Sequence, residues 1–374
     1  MKAAVITRHA ITNYGSLLQA LATQKLIESL GWDCEIIDYI KQEDDYHYSE
    51  KVYLARKPNW NSNWLTRSIY LGLRYIPSIV AGRHFELMRN GCLNLTKRYD
   101  SLAKICEKPP TADVYITGSD QVWGPLTDGK LDSAYCLSFA GNHHRVAFAS
   151  SFGAAELSDE RMAFFKGYLS RYEFISVRED SAKSIVAGLG LKSEQVLDPT
   201  LAVDPSVWRE IAQKGKTERY PYILIYQVHN SKEVYRYAKE IAKSTGYRII
   251  RASALLHQIT YGGHFKYAPS LEDFLALFRS ASYVVTDSFH GTAFSIIFER
   301  QFVEVLPDNA TKTRNESLLR VFGLQNRIAL EGGGVSKMLY PIDYSAVDVK
   351  MGHERAKTAS LLIGALNAVE KTEV

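Results

Sequence analysis

The sequence has 374 residues, of which 46% are hydrophobic and 23% are charged. This length favours two domains, and this composition is that of a globular protein rather than a disordered or membrane-spanning chain. The net charge of +4 suits an anionic substrate or an anionic membrane surface, but it is too small to indicate a protein that binds nucleic acid.

The N-terminal segment and the cysteines indicate where in the cell the protein is expected. The first apolar run is too short for a signal peptide, and no window reaches the roughly 18 apolar residues of a membrane-spanning helix. We therefore expect a cytoplasmic location. The four cysteines have no C-x-x-C spacing, which favours ordinary thiols over disulfides or a structural zinc site.

The first elements in the chain form a strand, a helix and a second strand. The apolar run Ala3–Thr7 predicts a strand, and Asn13–Gly15 predicts a turn. Leucines at helical spacing predict a helix over Ser16–Leu30, which Gly31 ends, and Cys34–Asp38 predicts the next strand. Such a unit implies a parallel sheet, so the first half is expected to be Rossmann-like.

Residues 46–100 interrupt this pattern with a segment rich in Tyr, Trp and Arg, which predicts a helical insertion. Within it, the aromatic and basic residues of 56–83 allow two interpretations. They form helices that pack on the first domain, or they form an interfacial surface that contacts the inner membrane.

Three further strands are predicted in the first half, and each ends in small or polar residues. In a parallel sheet the loops after the strands bind ligands, because they and the helix N-termini point their N–H groups into one crevice. The predicted strands are Val114–Thr117, Arg145–Ala149 and Phe174–Val177.

The prolines in Leu197–Pro205 place a domain boundary near residue 204. Strands and helices alternate again beyond it, so a second Rossmann-like domain is expected. The predicted domains are 1–203, 204–345 and a final segment 346–374, whose helix at about 350–370 is expected to cross back to the first domain. The elements of the second domain are strands at Tyr222–Tyr226, Tyr247–Ile250 and Ser282–Thr286 and helices at 231–245 and 271–280.

The stretch Thr286–Ala293 is the most informative for chemistry, because His290 lies where a buried strand is expected to turn into a helix. The N–H groups of Gly291, Thr292 and Ala293 are expected at the helix start, where they favour phosphate or carboxylate. Gly291 would also allow a ligand to approach the backbone closely. The alternative is that His290 caps the helix or packs at the domain boundary.

Arg178 follows another predicted strand and has two interpretations. It is an anion clamp, or it forms a salt bridge with Glu179 or Asp180.

Five motifs occur in order along the chain. The motifs are Asn13–Gly15, Gly118–Trp123, Ser176–Ser181, Val196–Pro199 and Ser288–Gly291. In these motifs the sequence resembles a known family, the polysaccharide pyruvyl transferases, and the resemblance extends from residue 1 to about 330.

The resemblance implies an activity and a fold. Members of this family transfer the enolpyruvyl carbons of phosphoenolpyruvate to a sugar of a surface polysaccharide or its lipid-linked precursor, usually as a ketal, with release of phosphate. The implied fold is α/β, with two Rossmann-like domains facing a central cleft, similar to the GT-B glycosyltransferases. The first domain is expected to bind the acceptor and the second the donor. No cofactor is expected besides the donor substrate.

The resemblance also implies donor contacts. Phosphoenolpyruvate needs a guanidinium, helix-terminal N–H groups and a proton donor, which Arg178, Gly291 with Thr292, and His290 would supply. Family members with a basic residue two places before the histidine use it to bind the donor, whereas this chain has Ser288 there. Arg314 is a candidate replacement, and the alternative is a surface arginine.

Acid and base roles are both required to form a ketal. We expect His290 to protonate the donor or the leaving phosphate, and Asp120 to bind or deprotonate the acceptor hydroxyl, unless Asp120 is only a helix cap. Six neighbours complete the expected acceptor side, with a plain turn as the alternative for the first four: Asn13, Tyr14, Gly15, Ser16, Ser119 and Gln121.

Two other functions stay open. One is a glycosyltransferase of the same two-domain shape that uses a nucleotide sugar, and the other is a non-catalytic sugar-binding or assembly protein. No acidic cluster has the spacing of a divalent-ion site, so no metal is expected, and Asp44 with Asp45 is interpreted as a solvated pair.

Overall fold

The computed structural model describes residues 1–126, 129–309 and 311–372. Its described residues form two compact units. Unit 1 contains Met1–Ala202 and the chain from Lys357 onward, and unit 2 contains Val203–Ala356. Each unit has its own sheet.

The sheet of unit 1 has six strands, all paired in parallel, in the order β2-β1-β3-β4-β5-β6. The inner strands are almost entirely buried, because helices cover both faces of a parallel sheet, and this explains their continuous apolar runs. The strands are β1 (Lys2–Ile6), β2 (Asp33–Ile36), β3 (Val114–Thr117), β4 (His144–Ser150), β5 (Phe174–Val177) and β6 (Glu194–Gln195).

This strand order has a topological switch point between β1 and β3. The chain leaves β1 toward β2 on one side, and the later strands continue from β3 on the other side. The loops after β1 and β3 therefore diverge at the carboxyl edge of the sheet, which is where such sheets bind ligands. The helices of unit 1 before its final segment are α1 (Tyr14–Ser29), α2 (Ser49–Ala55), α3 (Trp64–Cys92), α4 (Leu102–Glu107), α5 (Asp159–Leu169), α6 (Asp180–Gly188) and α7 (Pro199–Ala202).

Helices α2 and α3 occupy the segment where the sequence predicts a helical insertion. One face of α3 packs on the unit, with the Phe85 ring 4.7 Å from the Tyr14 ring between centroids. Gly82 on the same face lies so close to Tyr46 that a Cβ atom would overlap that ring. The inner face of α3 is therefore fixed by close packing.

The sheet of unit 2 has five parallel strands in the order β11-β10-β7-β8-β9, which places a switch point between β10 and β7. Its strands are β7 (Tyr222–Tyr226), β8 (Arg248–Ser253), β9 (His264–Tyr267), β10 (Tyr283–Thr286) and β11 (Gln301–Glu304). Its helices are α8 (Pro205–Gln213), α9 (Lys232–Thr245), α10 (Leu271–Ser280), α11 (Phe289–Ile297) and α12 (Lys312–Phe322).

The last helix, α13 (Tyr344–Thr372), begins before the predicted position 350. It starts in unit 2 and ends in unit 1, where the N–H of Leu197 donates to the Thr358 hydroxyl at 3.1 Å.

A buried carboxyl, Glu304 at the end of β11, links the starts of two helices. It accepts hydrogen bonds from the Thr292 hydroxyl of α11 and the Asn315 amide of α12. Both donors are the fourth residue of their helix, so the first turns of α11 and α12 lie side by side. Burial raises the pKa of Glu304 well above its usual range, despite the two donors.

The raised pKa predicts a pH-dependent effect of Glu304→Gln. Above the ordinary carboxyl pKa of 4.5 the unfolded chain loses this proton while the folded protein keeps it, so Glu304 lowers stability as pH rises toward its folded pKa. The stability of the variant relative to wild type should therefore rise from pH 5 to pH 8, by up to about 1.4 kcal/mol of unfolding free energy per pH unit. The difference in melting temperature between the two proteins, measured at each pH, follows this change. Glu331→Gln, at an exposed carboxyl, is the control, and a constant difference across pH would contradict the assignment.

Two residues after helix ends have left-handed backbone, Gly246 with φ 75° and Glu299 with φ 56°. Nothing lies within 4 Å of a Cβ atom at Gly246, so Gly246→Ala should lower the free energy of unfolding by about 1 kcal/mol through backbone strain alone. Glu299→Gly should raise it by up to about 1 kcal/mol for the same reason. Urea titration of both variants measures these opposite shifts, and a shift of the same sign in both would refute the explanation.

Candidate functional site

Arg178, directly after β5, lies at the centre of a buried ion-pair cluster. Its Nη1 is 2.8 Å from Asp198 Oδ2, its Nε is 3.6 Å from Glu179 Oε2 and its Nη2 is 3.7 Å from Asp120 Oδ1. Burial alone would lower the pKa of the guanidinium, but the three carboxylates outweigh burial and raise it. Arg178 is therefore a permanent cation among acidic side chains.

This environment corrects the expectation that Arg178 clamps an anion. The arginine side chain is 1% exposed, and a doubly charged ligand beside it would meet three carboxylates. The ion-pair alternative, with Glu179 as one partner, describes the arrangement, and the anion clamp does not.

Asp120 is the member of the cluster that is open to solvent. Its side chain is 13% exposed, whereas that of Asp198 is fully buried. Its backbone is left-handed, with φ 72°, which is uncommon outside glycine and concentrates at functional sites. The Ser16 hydroxyl donates to its Oδ2 at 2.9 Å. Asp120 thus follows β3 and receives a hydrogen bond from α1, so it lies at the switch point of unit 1 rather than at a helix cap.

Ser119 and Gln121, expected to contact the acceptor, are engaged within unit 1. The Ser119 hydroxyl is buried and donates to Asp198 Oδ2 at 3.1 Å. The Gln121 side chain packs on Gly153, where an added Cβ would lie 2.9 Å from its Cδ. Ser119 is therefore a structural contact that holds Asp198, which corrects its assignment to the acceptor.

The loop Asn13–Ser16 is the beginning of α1. Asn13 caps the helix by accepting the Gly15 N–H at 2.8 Å, and Tyr14 is buried against Phe85. Burial corrects the expectation that Tyr14 and Gly15 contact the acceptor, whereas Asn13 is partly exposed and its acceptor contact stays a prediction. Ser16 reaches Asp120 and so stays a candidate.

His290 is the second residue of α11, after β10, and is largely buried. Ser288 occupies the N-cap position, with extended backbone and its N–H donating to Thr286 Oγ1 at 3.1 Å. His290 therefore does not cap the helix. The N–H groups of this first turn have no intrahelical acceptor and carry partial positive charge beside its ring.

Gly291 and Thr292 are used by the fold itself. A Cβ atom at Gly291 would overlap Thr286 Oγ1, so the close approach expected for a ligand is made by Thr286. The Thr292 N–H donates to the Ser288 carbonyl at 3.0 Å, and its hydroxyl donates to Glu304. The helix begins at Phe289, earlier than expected, which leaves the N–H groups of residues 289–291 at its positive end.

Arg314 lies in the first turn of α12 and is buried, so the alternative of a surface arginine is wrong. Its neighbour Asn315 bonds Glu304, which also bonds Thr292 of α11. Arg314 is thereby positioned in the pair of helix starts that includes His290.

Two residues at the switch point of unit 2 had no predicted role. The buried carboxylate of Asp287 accepts the N–H groups of Val228 at 2.7 Å and His229 at 3.0 Å, which joins the loops after β7 and β10. The His229 Nδ1 lies 3.8 Å from Asp287 Oδ1. His229 follows a buried strand as His290 does, so the same sequence signal would have identified it.

Asp198 of unit 1 was also missed, although its motif was recognised. It accepts the Thr200 hydroxyl at 2.6 Å besides bonding Arg178 and Ser119.

Within the described residues, no group of three or more His, Cys, Asp or Glu side chains is arranged to hold a metal ion. Across the same part of the chain, no helix is both long and apolar enough to cross a membrane.

Comparison with solved structures supports the fold. UDP-GlcNAc 2-epimerase from Neisseria meningitidis matches with a TM-score of 0.54 and 10% identity, covering 98% of this chain and 100% of that one. The UDP-N-acetylglucosamine 2-epimerase from Rickettsia bellii matches with a TM-score of 0.50 and 11% identity, covering 100% and 96%. The predicted fold class, α/β with two Rossmann-like domains, is confirmed.

Comparison with protein families settles the resemblance seen in the motifs. No curated protein matches the sequence. The family model described as polysaccharide pyruvyl transferase matches residues 13–309, most of the chain. The chain therefore belongs to the polysaccharide pyruvyl transferase family.

Proposed function

We propose that the protein transfers the enolpyruvyl carbons of phosphoenolpyruvate to a sugar of a surface polysaccharide or its lipid-linked precursor. The product is a pyruvate ketal, and phosphate is released. One sugar hydroxyl adds at C2 of the enol while C3 gains a proton. A second hydroxyl then displaces phosphate at C2 and gives up its proton. Besides its two substrates, the reaction needs no cofactor.

Unit 2 is the proposed donor site, and the position of His290 is the observation that carries the proposal. The His290 imidazole lies at the positive start of α11, at the switch point where doubly wound sheets bind ligands. Phosphate and carboxylate are the groups such a helix start favours. We assign His290 the proton delivered to the donor or to the leaving phosphate, and Arg314 a charge contact in place of the cation absent at Ser288.

Unit 1 is the proposed acceptor site, with Asp120 as its reactive group. The adjacent Arg178 guanidinium favours the ionised carboxylate, and the remaining carboxylates of the cluster discourage an anionic ligand. An ionised and partly exposed carboxylate can orient a sugar hydroxyl and accept its proton. Arg178 is then a positioning residue for Asp120, and Ser16 holds the other carboxylate oxygen.

The direct experiment is a screen of nitrophenyl and lipid-linked galactose, mannose and glucose derivatives with phosphoenolpyruvate. A mass gain corresponding to added pyruvate, with equal release of phosphate, is expected for one of them. Thermal shifts separate the alternatives. Saturation by UDP-GlcNAc, the ligand bound in the N. meningitidis epimerase structure, without saturation by phosphoenolpyruvate, would contradict the proposed donor.

His290→Asn should lower kcat by about 10²- to 10⁴-fold, the range of general acid–base catalysis, with little change in melting temperature. Phosphate release from phosphoenolpyruvate with acceptor present measures the loss. His229→Asn, at the neighbouring strand end, is the matched control. Normal turnover in His290→Asn together with loss in His229→Asn would transfer the role to His229.

Asp120→Asn should lower the catalytic rate without lowering stability, whereas Asp198→Asn should lower stability. Asn tolerates left-handed backbone, so Asp120→Asn should fold normally and lose about 10²-fold or more in kcat. Asp198→Asn removes the closest partner of buried Arg178 and should cost about 3–5 kcal/mol of unfolding free energy. Urea titration and turnover are measured on both. Full activity in Asp120→Asn would exclude the proposed acceptor role.

A further inference from the structure

The outer face of α3 carries a narrow stripe of exposed aliphatic side chains. At 100° per residue, they all lie within about 40° of one line along the helix. Each is at least 46% exposed, and Trp64 at the start of the helix is 78% exposed. The members of this α3 stripe are Leu65, Ile69, Leu73, Ile76, Val80 and Leu87.

The α3 stripe is not the outer part of a core, because the opposite face of α3 makes the packing contacts. Tyr70 and Phe85 are buried there, and Glu50 of α2 accepts a hydrogen bond from Tyr70 at 3.1 Å and is 3.3 Å from Arg74. A helix with one face packed and an aliphatic line in water exposes a continuous patch of the kind that marks an interaction surface.

The segment around the stripe is strongly basic. Residues 46–100 contain nine Lys and Arg against three Asp and Glu, a net charge of +6 in a chain whose total is +4. Glu50 and Glu86 are engaged in ion pairs with arginines. The exposed basic side chains of the segment include Lys51, Arg56, Lys57, Arg67 and Arg83, and of these Arg83 lies on the same face of α3 as the stripe.

We propose that α3 lies in the plane of an anionic phospholipid bilayer, with the α3 stripe and Trp64 inserted among the acyl chains near the headgroups. The basic side chains of the segment would contact the lipid phosphates. Apolar insertion combined with a polybasic surface is the two-part signal that interfacial helices use. A second copy of this chain fits the stripe less well, because two segments of charge +6 would be brought together. This docking does not depend on the identity of the pyruvyl donor.

Vesicle sedimentation of the full-length protein tests the proposal. The protein should sediment with vesicles of phosphatidylglycerol and phosphatidylcholine, should bind pure phosphatidylcholine more weakly, and should be released by salt. The double variant Leu73→Ser, Ile76→Ser should lower the partition coefficient at least about tenfold. Leu330→Ser, Val349→Ser is the matched control, since those residues are similarly exposed in unit 2 and should leave binding unchanged.

Tryptophan fluorescence provides a second readout. Trp60 and Trp64 are exposed, whereas Trp32, Trp123 and Trp208 are buried, so quenching by brominated lipid should be strong in wild type and much reduced in Trp64→Phe. Three outcomes would overturn the proposal. They are no binding to anionic vesicles, equal binding by the stripe variant, or a wild-type dimer in sedimentation velocity that this variant converts to monomer, which would assign the stripe to a second copy.

Discussion

The parallel pairing of the strands is the constraint on which the proposed sites depend. The sheet pairings in both units are parallel, so the loops that follow the strands gather at one edge of each sheet. The order of strands then selects one place on that edge, where neighbouring loops diverge. Asp120 with Ser16 in unit 1, and Asp287 with His290 in unit 2, lie at those places. Chain topology thus brings Ser16 to Asp120, 104 positions away in the sequence, and Val228 to Asp287, 59 positions away.

The two switch points differ in electrostatic character, and this difference is consistent with the proposed placement of the two substrates. In unit 1 one guanidinium is surrounded by three carboxylates, which leaves local negative charge and suits a neutral sugar hydroxyl. In unit 2 burial raises the pKa of the Glu304 carboxyl, which favours its neutral form beside the positive ends of α11 and α12. The proposed anionic donor therefore suits the helix starts of unit 2 better than the cluster of unit 1, although the Asp287 carboxylate of unit 2, which accepts two backbone N–H groups, also carries negative charge.

The sequence predicts the elements and the strand ends well, because hydrophobic period and glycine or proline breaks are local signals. The helix at 271–280 was predicted with its observed bounds, while β9, with its partly exposed residues, was not predicted. Side-chain partners could not be predicted in this way. Arg178 has a partner 20 residues away and another 58 residues away, and neither is visible in a local pattern. A glycine at position 291 is explained equally well by a ligand that approaches the backbone or by the close approach of Thr286. Only the three-dimensional structure distinguishes the two explanations.

The proposed membrane surface and the proposed acceptor site are joined by one packed contact. Phe85, on the inner face of α3, packs against Tyr14 with the two rings tilted by 58°, and Ser16, two residues after Tyr14, donates a hydrogen bond to Asp120. Because Tyr14 and Phe85 are both buried, this connection is rigid rather than a flexible tether. A helix held at the bilayer would therefore keep Asp120 at a fixed height above it. An acceptor sugar on a lipid diphosphate also has a fixed height, so the proposed docking, together with the packing of α3 on α1, would suit a lipid-linked acceptor.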